Sequence, residues 1–101
     1  MQPNRKASQL TREAAETLAI QAFTFIAEEP QSLSRFLDAS GLSAERVRAA
    51  SREPGFLAGV LEHILGHENL LVAFAHSAGI DPADVARAAG TLGGQWERDI
   101  P

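Results

Sequence analysis

Apolar residues recur at helical spacing along most of this chain. Phe56, Leu57, Val60, Leu61, Ile64 and Leu65 fall on one stripe of a helix. The run Leu70–Ala75 that follows is apolar on every face, which predicts a segment buried on several sides. Leu and Ala dominate that run and Val72 is its one β-branched residue, so the pattern favours helix over strand. Upstream, Ala15, Leu18, Ala19, Ala22, Phe23 and Ile26 make a second stripe, widened by Phe25. Ile20 falls off that stripe and is expected at the surface. Leu33, Phe36 and Leu37, and then Val47 and Ala50, mark two shorter helices.

Punctuation between the stripes divides the chain into six helices. Thr11 is a good N-cap for the first, with Glu13 complementing the helix dipole. Pro30 stops that helix near Glu28. Ser32 is the expected cap of the second helix, and Gly41 its left-handed end. Ser43 caps the third. Pro54 is placed at the first helical position of the fourth, which Gly66 ends. His67, Glu68 and Asn69 open the fifth, which ends at Gly79. Asp81 and Pro82 then start the sixth as N-cap and first residue. Gly90 weakens the sixth helix, and Gly93-Gly94 is its expected end. The reading is an all-α fold, a compact bundle of about six short helices in one domain over residues 11–94. Residues 1–10 are polar and read as a disordered tail. Residues 95–101 form a second tail, whose Trp96 and Ile100 can pack back on the domain.

An offset of 38 residues aligns the two halves without a gap, pairing Phe36 with Phe74. Ile26 then meets Ile64, Leu33 meets Leu71, Gly41 meets Gly79, Val47 meets Val85 and Ala50 meets Ala88. The helix starts and stops agree too. This register suggests two three-helix units related by internal duplication. Any two amphipathic helix–turn–helix segments share part of such a pattern, so both explanations stand at this point.

Composition narrows the function classes. A chain of 101 residues with 45% hydrophobic content supports one domain with a genuine core. A formal charge of −4 argues against non-specific binding to nucleic acid or anionic membrane. Without cysteine there is no disulfide, thiolate metal site or Cys nucleophile. The N-terminal stretch lacks the apolar segment of a secretory signal, and no run approaches the ~20 apolar residues of a spanning helix. The expected compartment is the cytoplasm.

Three constellations invite a functional reading. Ala75, Gly79, Ile80, Val85 and Ala88 have helix-turn-helix spacing, as do Leu37, Gly41, Leu42, Val47 and Ala50. The second copy would present Asp81 and Asp84 to DNA, where carboxylates repel phosphate, so a DNA-binding regulator is the alternative and nucleic acid the disfavoured partner. His63 and His67 are four apart, a metal-gripping interval on a continuous helix, but Gly66 interrupts it and no HExxH order is present. A His-based metal protein is thus a second alternative, and no cofactor is expected. Finally, Arg46, Arg48 and Arg52 with Arg35 can form a basic patch, while Ile20 and Trp96 are large side chains without an evident core role. No nucleophile elbow, phosphate loop or paired carboxylate appears. A non-catalytic interaction module, monomeric or homodimeric, is the expectation.

Several short segments also carry a likeness. Pro54, Phe56, Leu57, Val60 and Leu61 make P-x-F-L-x-x-V-L; Gly66 and Glu68 make a G-x-E turn. Phe74, Ala75, Ala78, Gly79, Ile80 and Pro82 make F-A-x-x-A-G-I-x-P. Over Thr11–Gly94 the chain resembles a small alphaproteobacterial family, the domain-of-unknown-function family 3572. His67 departs from that family's usual Asp, which suits a capping role and weakens the metal reading. The shared positions are packing and capping positions, so the resemblance carries over an all-helical fold and no catalytic residue. It also implies a regulatory adaptor role, with a signalling regulator as the class of partner.

Overall fold

The computed structural model describes residues 11–51 and 53–97, with side chains except those of Pro54 and residues 94–97. These residues form six helices: α1 (Arg12–Ala27), α2 (Pro30–Ser40), α3 (Ala44–Ala50), α4 (Pro54–Leu65), α5 (Glu68–Ala78) and α6 (Pro82–Glu97). No strand occurs among the described residues.

α1, α4 and α6 pack on one another and hold the core between them. Each contributes one helical stripe. On α1 the stripe is Ala15, Ala19, Ala22 and Ile26, all fully buried. On α6 it is Val85, Ala88, Ala89 and Leu92. α4 is buried more widely, through Phe56, Leu57, Ala58, Val60, Leu61 and Ile64, because neighbours cover it on two sides. The alanines let α1 approach its neighbours closely, and the large side chains of α4 fill the space between.

The ends of the helices follow from local chemistry. The Thr11 hydroxyl accepts from the Ala14 amide at 3.0 Å. The Asp81 carboxylate accepts from the Ala83 amide at 3.0 Å, and Asp84 reaches back to the Asp81 amide at 3.3 Å. Together they make a reciprocal cap around Pro82. Ser43 stands at the N-cap of α3 in extended geometry, with no cap bond from its hydroxyl. Gly41 (φ 76°) and Gly79 (φ 70°) close α2 and α5 in the left-handed region, the two positive φ values among the described residues. After them Leu42 donates to the Leu37 carbonyl (3.2 Å) and Ile80 to that of Ala75 (3.0 Å), each sharing its acceptor with the preceding glycine N–H.

Around Gly79 there is open space for a Cβ, so backbone conformation alone should decide what the site accepts. Gly79→Val is expected to lose about 1–3 kcal/mol. Gly79→Asn, whose side chain tolerates this region, should retain most of that. Thermal melts of the two variants check the difference, and equal melting temperatures would contradict the cap.

Three expectations need correction. α2 starts at Pro30 with Glu29 as its N-cap, three residues before the expected cap Ser32. Proline suits that first position, and the Ser32 hydroxyl instead donates to the Glu29 carboxylate at 3.2 Å. The run Leu70–Ala75 is not buried on several sides: Phe74 and Ala75 are, but Val72 is 55% exposed. α5 lies at the edge of the bundle and needs only one covered face. Lastly, Gly93-Gly94 does not end α6, which continues to Glu97. Packing of Leu92 and of the α6 backbone along α4 overrides the weak propensity of glycine.

The 38-residue offset reappears in three dimensions. Ala27 and Leu65, Pro30 and Glu68, Ser40 and Ala78, and Ala44 and Pro82 are matching helix boundaries, each pair 38 positions apart. Ring contacts match as well. Phe25 meets Phe74 with centroids 5.6 Å apart, and Phe36 meets His63 at 5.3 Å. His63 lies 38 positions after Phe25, and Phe36 lies 38 before Phe74, so the offset exchanges one contact for the other. The halves differ in their third helices. α6 runs through the core, whereas α3 is short, contributes no fully buried residue and lies at the edge.

Candidate functional site

The peripheral position of α3 leaves a groove between α2, α3 and α4, of about 530 Å³. Its floor is aromatic. Phe36 and Phe56 meet edge-to-face at 5.8 Å, and Phe23 from α1 braces both at 5.9 and 5.4 Å. Leu42 and Ala50, at either end of α3, form one wall. The other wall is α4, where Gly55 and Gly59 stand one turn apart. Neither glycine has a positive φ, and a Cβ at either would meet nothing within 4 Å. Within a helix each glycine costs about 1 kcal/mol relative to alanine. Gly55, Gly59 and, in α6 away from the groove, Gly90 leave room that the fold's own packing does not use, and two of these three lie along the groove.

Polar groups are confined to the margins. Glu53 and Glu62 are exposed residues of its lining, and among the described residues no lysine or arginine lines it. His63 is half-buried at one end, its ring edge-on to Phe36. Beyond His63 lies a second, more polar cleft of about 410 Å³, which includes Arg35, His67 and Glu68.

The histidines are close: their ring centroids are 4.5 Å apart. The His67 Nδ1–H donates to the His63 carbonyl oxygen at 2.8 Å, since a carbonyl can only accept. His67 thus holds the end of α4 against the start of α5. Among the described residues no three His, Asp or Glu side chains converge as a metal site would require. Burial, and secondarily the neighbouring His67, lower the His63 pKa below its ordinary value of 6.5. His63 therefore binds protons more readily in the unfolded chain. Its contribution to stability is complete above about pH 6.5 and is lost as pH falls toward its folded value. The groups around it, His67, Arg35, Glu62 and Glu68, are unchanged in His63→Phe, which places at position 63 the side chain its counterpart Phe25 carries. Melts at about pH 7.5 and about pH 5.5 should show a smaller acid-induced drop in that variant than in the parent. An identical drop in both would show that His63 titrates normally.

The residues singled out by sequence scatter over the surface. Ile20 is 56% exposed and lines a shallow cleft of about 310 Å³ between α1 and α5. That cleft includes the Phe25–Phe74 contact and is the counterpart of the groove by the 38-residue offset. Arg46 and Arg48 are exposed on α3 and do not line the groove. Arg52 and the Trp96 side chain lie outside the described residues, as does Ile100. The first helix-turn-helix copy leaves Ser43, Ala44, Glu45 and Arg48 exposed on α3, a helix of seven residues. In the second copy, α6 is packed against α1 and α4 along its length. At its start Arg87 is held by Asp84 at 2.6 Å, which takes the one cation of that helix face away from a partner phosphate. Sequence reasoning missed the groove residues Phe36, Phe56, Gly55 and Gly59 as a set. The available signal was a pair of glycines spaced one turn apart inside a strongly apolar helix.

A family model described as "Protein of unknown function (DUF3572)" matches residues 12–95. The chain belongs to this family. No curated protein and no solved structure matches it. The match to the DUF3572 family spans all six helices except the last two residues of α6, so the groove-forming helices α2, α3 and α4 all lie within the family's own extent.

Proposed function

We propose that this DUF3572 domain is a non-catalytic interaction module that docks a protein partner in the groove between α2, α3 and α4, in the cytoplasm. The observation that carries this reading is the pairing of an aromatic floor with a glycine-lined wall that the fold does not need for its own packing. Interfaces owe much of their energy to a few apolar anchors seated in such depressions. The regulatory adaptor role is an extension of the same reading. The matched helix boundaries and the exchanged ring contacts support a duplicated origin, in which one third helix stayed in the core and the other moved aside to leave the groove open.

The test is a quantitative capture from native cytosol with the parent domain and with Gly59→Trp, which fills the groove at a position with free space. Proteins retained by the parent and lost by the variant would support the reading. The same proteins on both baits would move the docking surface elsewhere. Material that disappears with nuclease would favour the helix-turn-helix alternative through the exposed Arg46 and Arg48 of α3.

A further inference from the structure

The same groove indicates what kind of partner segment it accepts. Its rim residues Ala39, Ser40, Glu53 and Gly55 are all exposed, so it is open along its length and suits a polymer laid across it more than an enclosed small molecule. Along α4, Gly55 and Glu62 span about 10 Å, close to two helical turns. Bare backbone at Gly55 and Gly59 permits close approach of a second helix axis, as small residues do wherever helices pack tightly. Phe36 and Phe56, 3% and 9% exposed, support the floor from beneath, and Leu42 and Ala50 offer half-buried apolar surface to side chains spaced i, i+3 or i+4, and i+7.

Charge selects among the amphipathic helices that would fit. Glu53 and Glu62 are exposed residues of the groove lining, which among the described residues includes no lysine or arginine. Neither carboxylate belongs to an ion pair among the described residues. The whole chain carries −4, so its field attracts a cationic segment and opposes a second copy of itself. We infer, resting on the docking reading above, that the occupant is an amphipathic helix with an apolar face and flanking Lys or Arg residues. The apolar face fills the floor, and the basic residues lie over Glu53 and Glu62.

A display library of amphipathic helical peptides, with fixed apolar positions and a randomised polar face, is the direct probe. It is selected on the full chain and counter-selected on Gly59→Trp. Enriched peptides should carry excess Lys and Arg. Their affinity should fall about tenfold or more on Gly59→Trp, as expected for a blocked anchor pocket. It should also fall on the double variant Glu53→Gln, Glu62→Gln and weaken with added salt. Circular dichroism checks that the variants fold. Amide shifts of Gly55 and Gly59 in the parent locate the peptide independently of any variant. Groove-bound peptides without basic enrichment, or indifferent to the Gln variants, would overturn the charge assignment and leave the docking surface standing. Failure to enrich any peptide that shifts Gly55 and Gly59 would overturn both.

Discussion

Phe36→Ala is expected to lower the stability of the domain by about 3–5 kcal/mol, the range for deleting a buried phenyl ring. Phe36 is 3% exposed and touches three rings: Phe23 of α1, Phe56 of α4 and His63 at the end of α4. No other aromatic side chain among the described residues joins so many, and each edge-on pair adds about 0.5–1.5 kcal/mol beyond area alone. The loss is a large share of the 5–15 kcal/mol typical of a whole domain. The melting temperature should fall by more than about 10 °C. Because Phe36 supports the floor of the groove from beneath, its loss should reshape that floor, and binding of a groove peptide should weaken even at temperatures where the variant remains folded. A variant that melts within about 2 °C of the parent would contradict the assignment of Phe36 as the hub linking α2 to the core.

Much of the core was legible before any coordinates, and the reason is geometric. Ala15, Ala19, Ala22 and Ile26 repeat at helical intervals, and so do Val85 and Ala88, so their common face follows from the period alone. The glycines at 41 and 79 were equally readable, since few other residues accept a left-handed helix end. Two features resisted. The exposure of Val72 depends on where α5 sits in the bundle, and an all-round apolar run says nothing about which neighbours arrive. The continuation of α6 through Gly93 depends on packing against α4, a long-range effect that outweighs local propensity.

The candidate site was less legible than the fold, for a related reason. The groove is left where a helix packs only partly, and α3 has the same apolar spacing at Val47 and Ala50 that α6 has at Val85 and Ala88. What separates them is length and company: α3 ends after seven residues, while α6 continues over sixteen and is covered on two sides. The glycines of α4 carried a signal, but only the free space around them distinguishes a groove wall from a tight helix crossing. His63 was singled out as half of a metal pair. Its place in the bundle is that of Phe25 in the other half, an aromatic packing position occupied by a titratable ring.

Leu61→Ala separates stability from docking. Leu61 is fully buried at the centre of α4 and does not line the groove. Removing three carbons there should cost about 2–5 kcal/mol, with the exact value set by how far α1 and α6 can close on the cavity. Three of the four residues in the buried stripe of α1 are alanines, too short to swing into a gap, which places the expected loss in the upper half of that range. Denaturant unfolding should show a lower midpoint with an unchanged slope, since the surface exposed on unfolding is nearly the same. Below its melting temperature, Leu61→Ala should bind a groove peptide as the parent does, whereas Phe36→Ala, of comparable instability, should not. If both variants lost binding in proportion to their stability, the groove would be only a mark of a folded domain, and the anchor role of its aromatic floor would have to be abandoned.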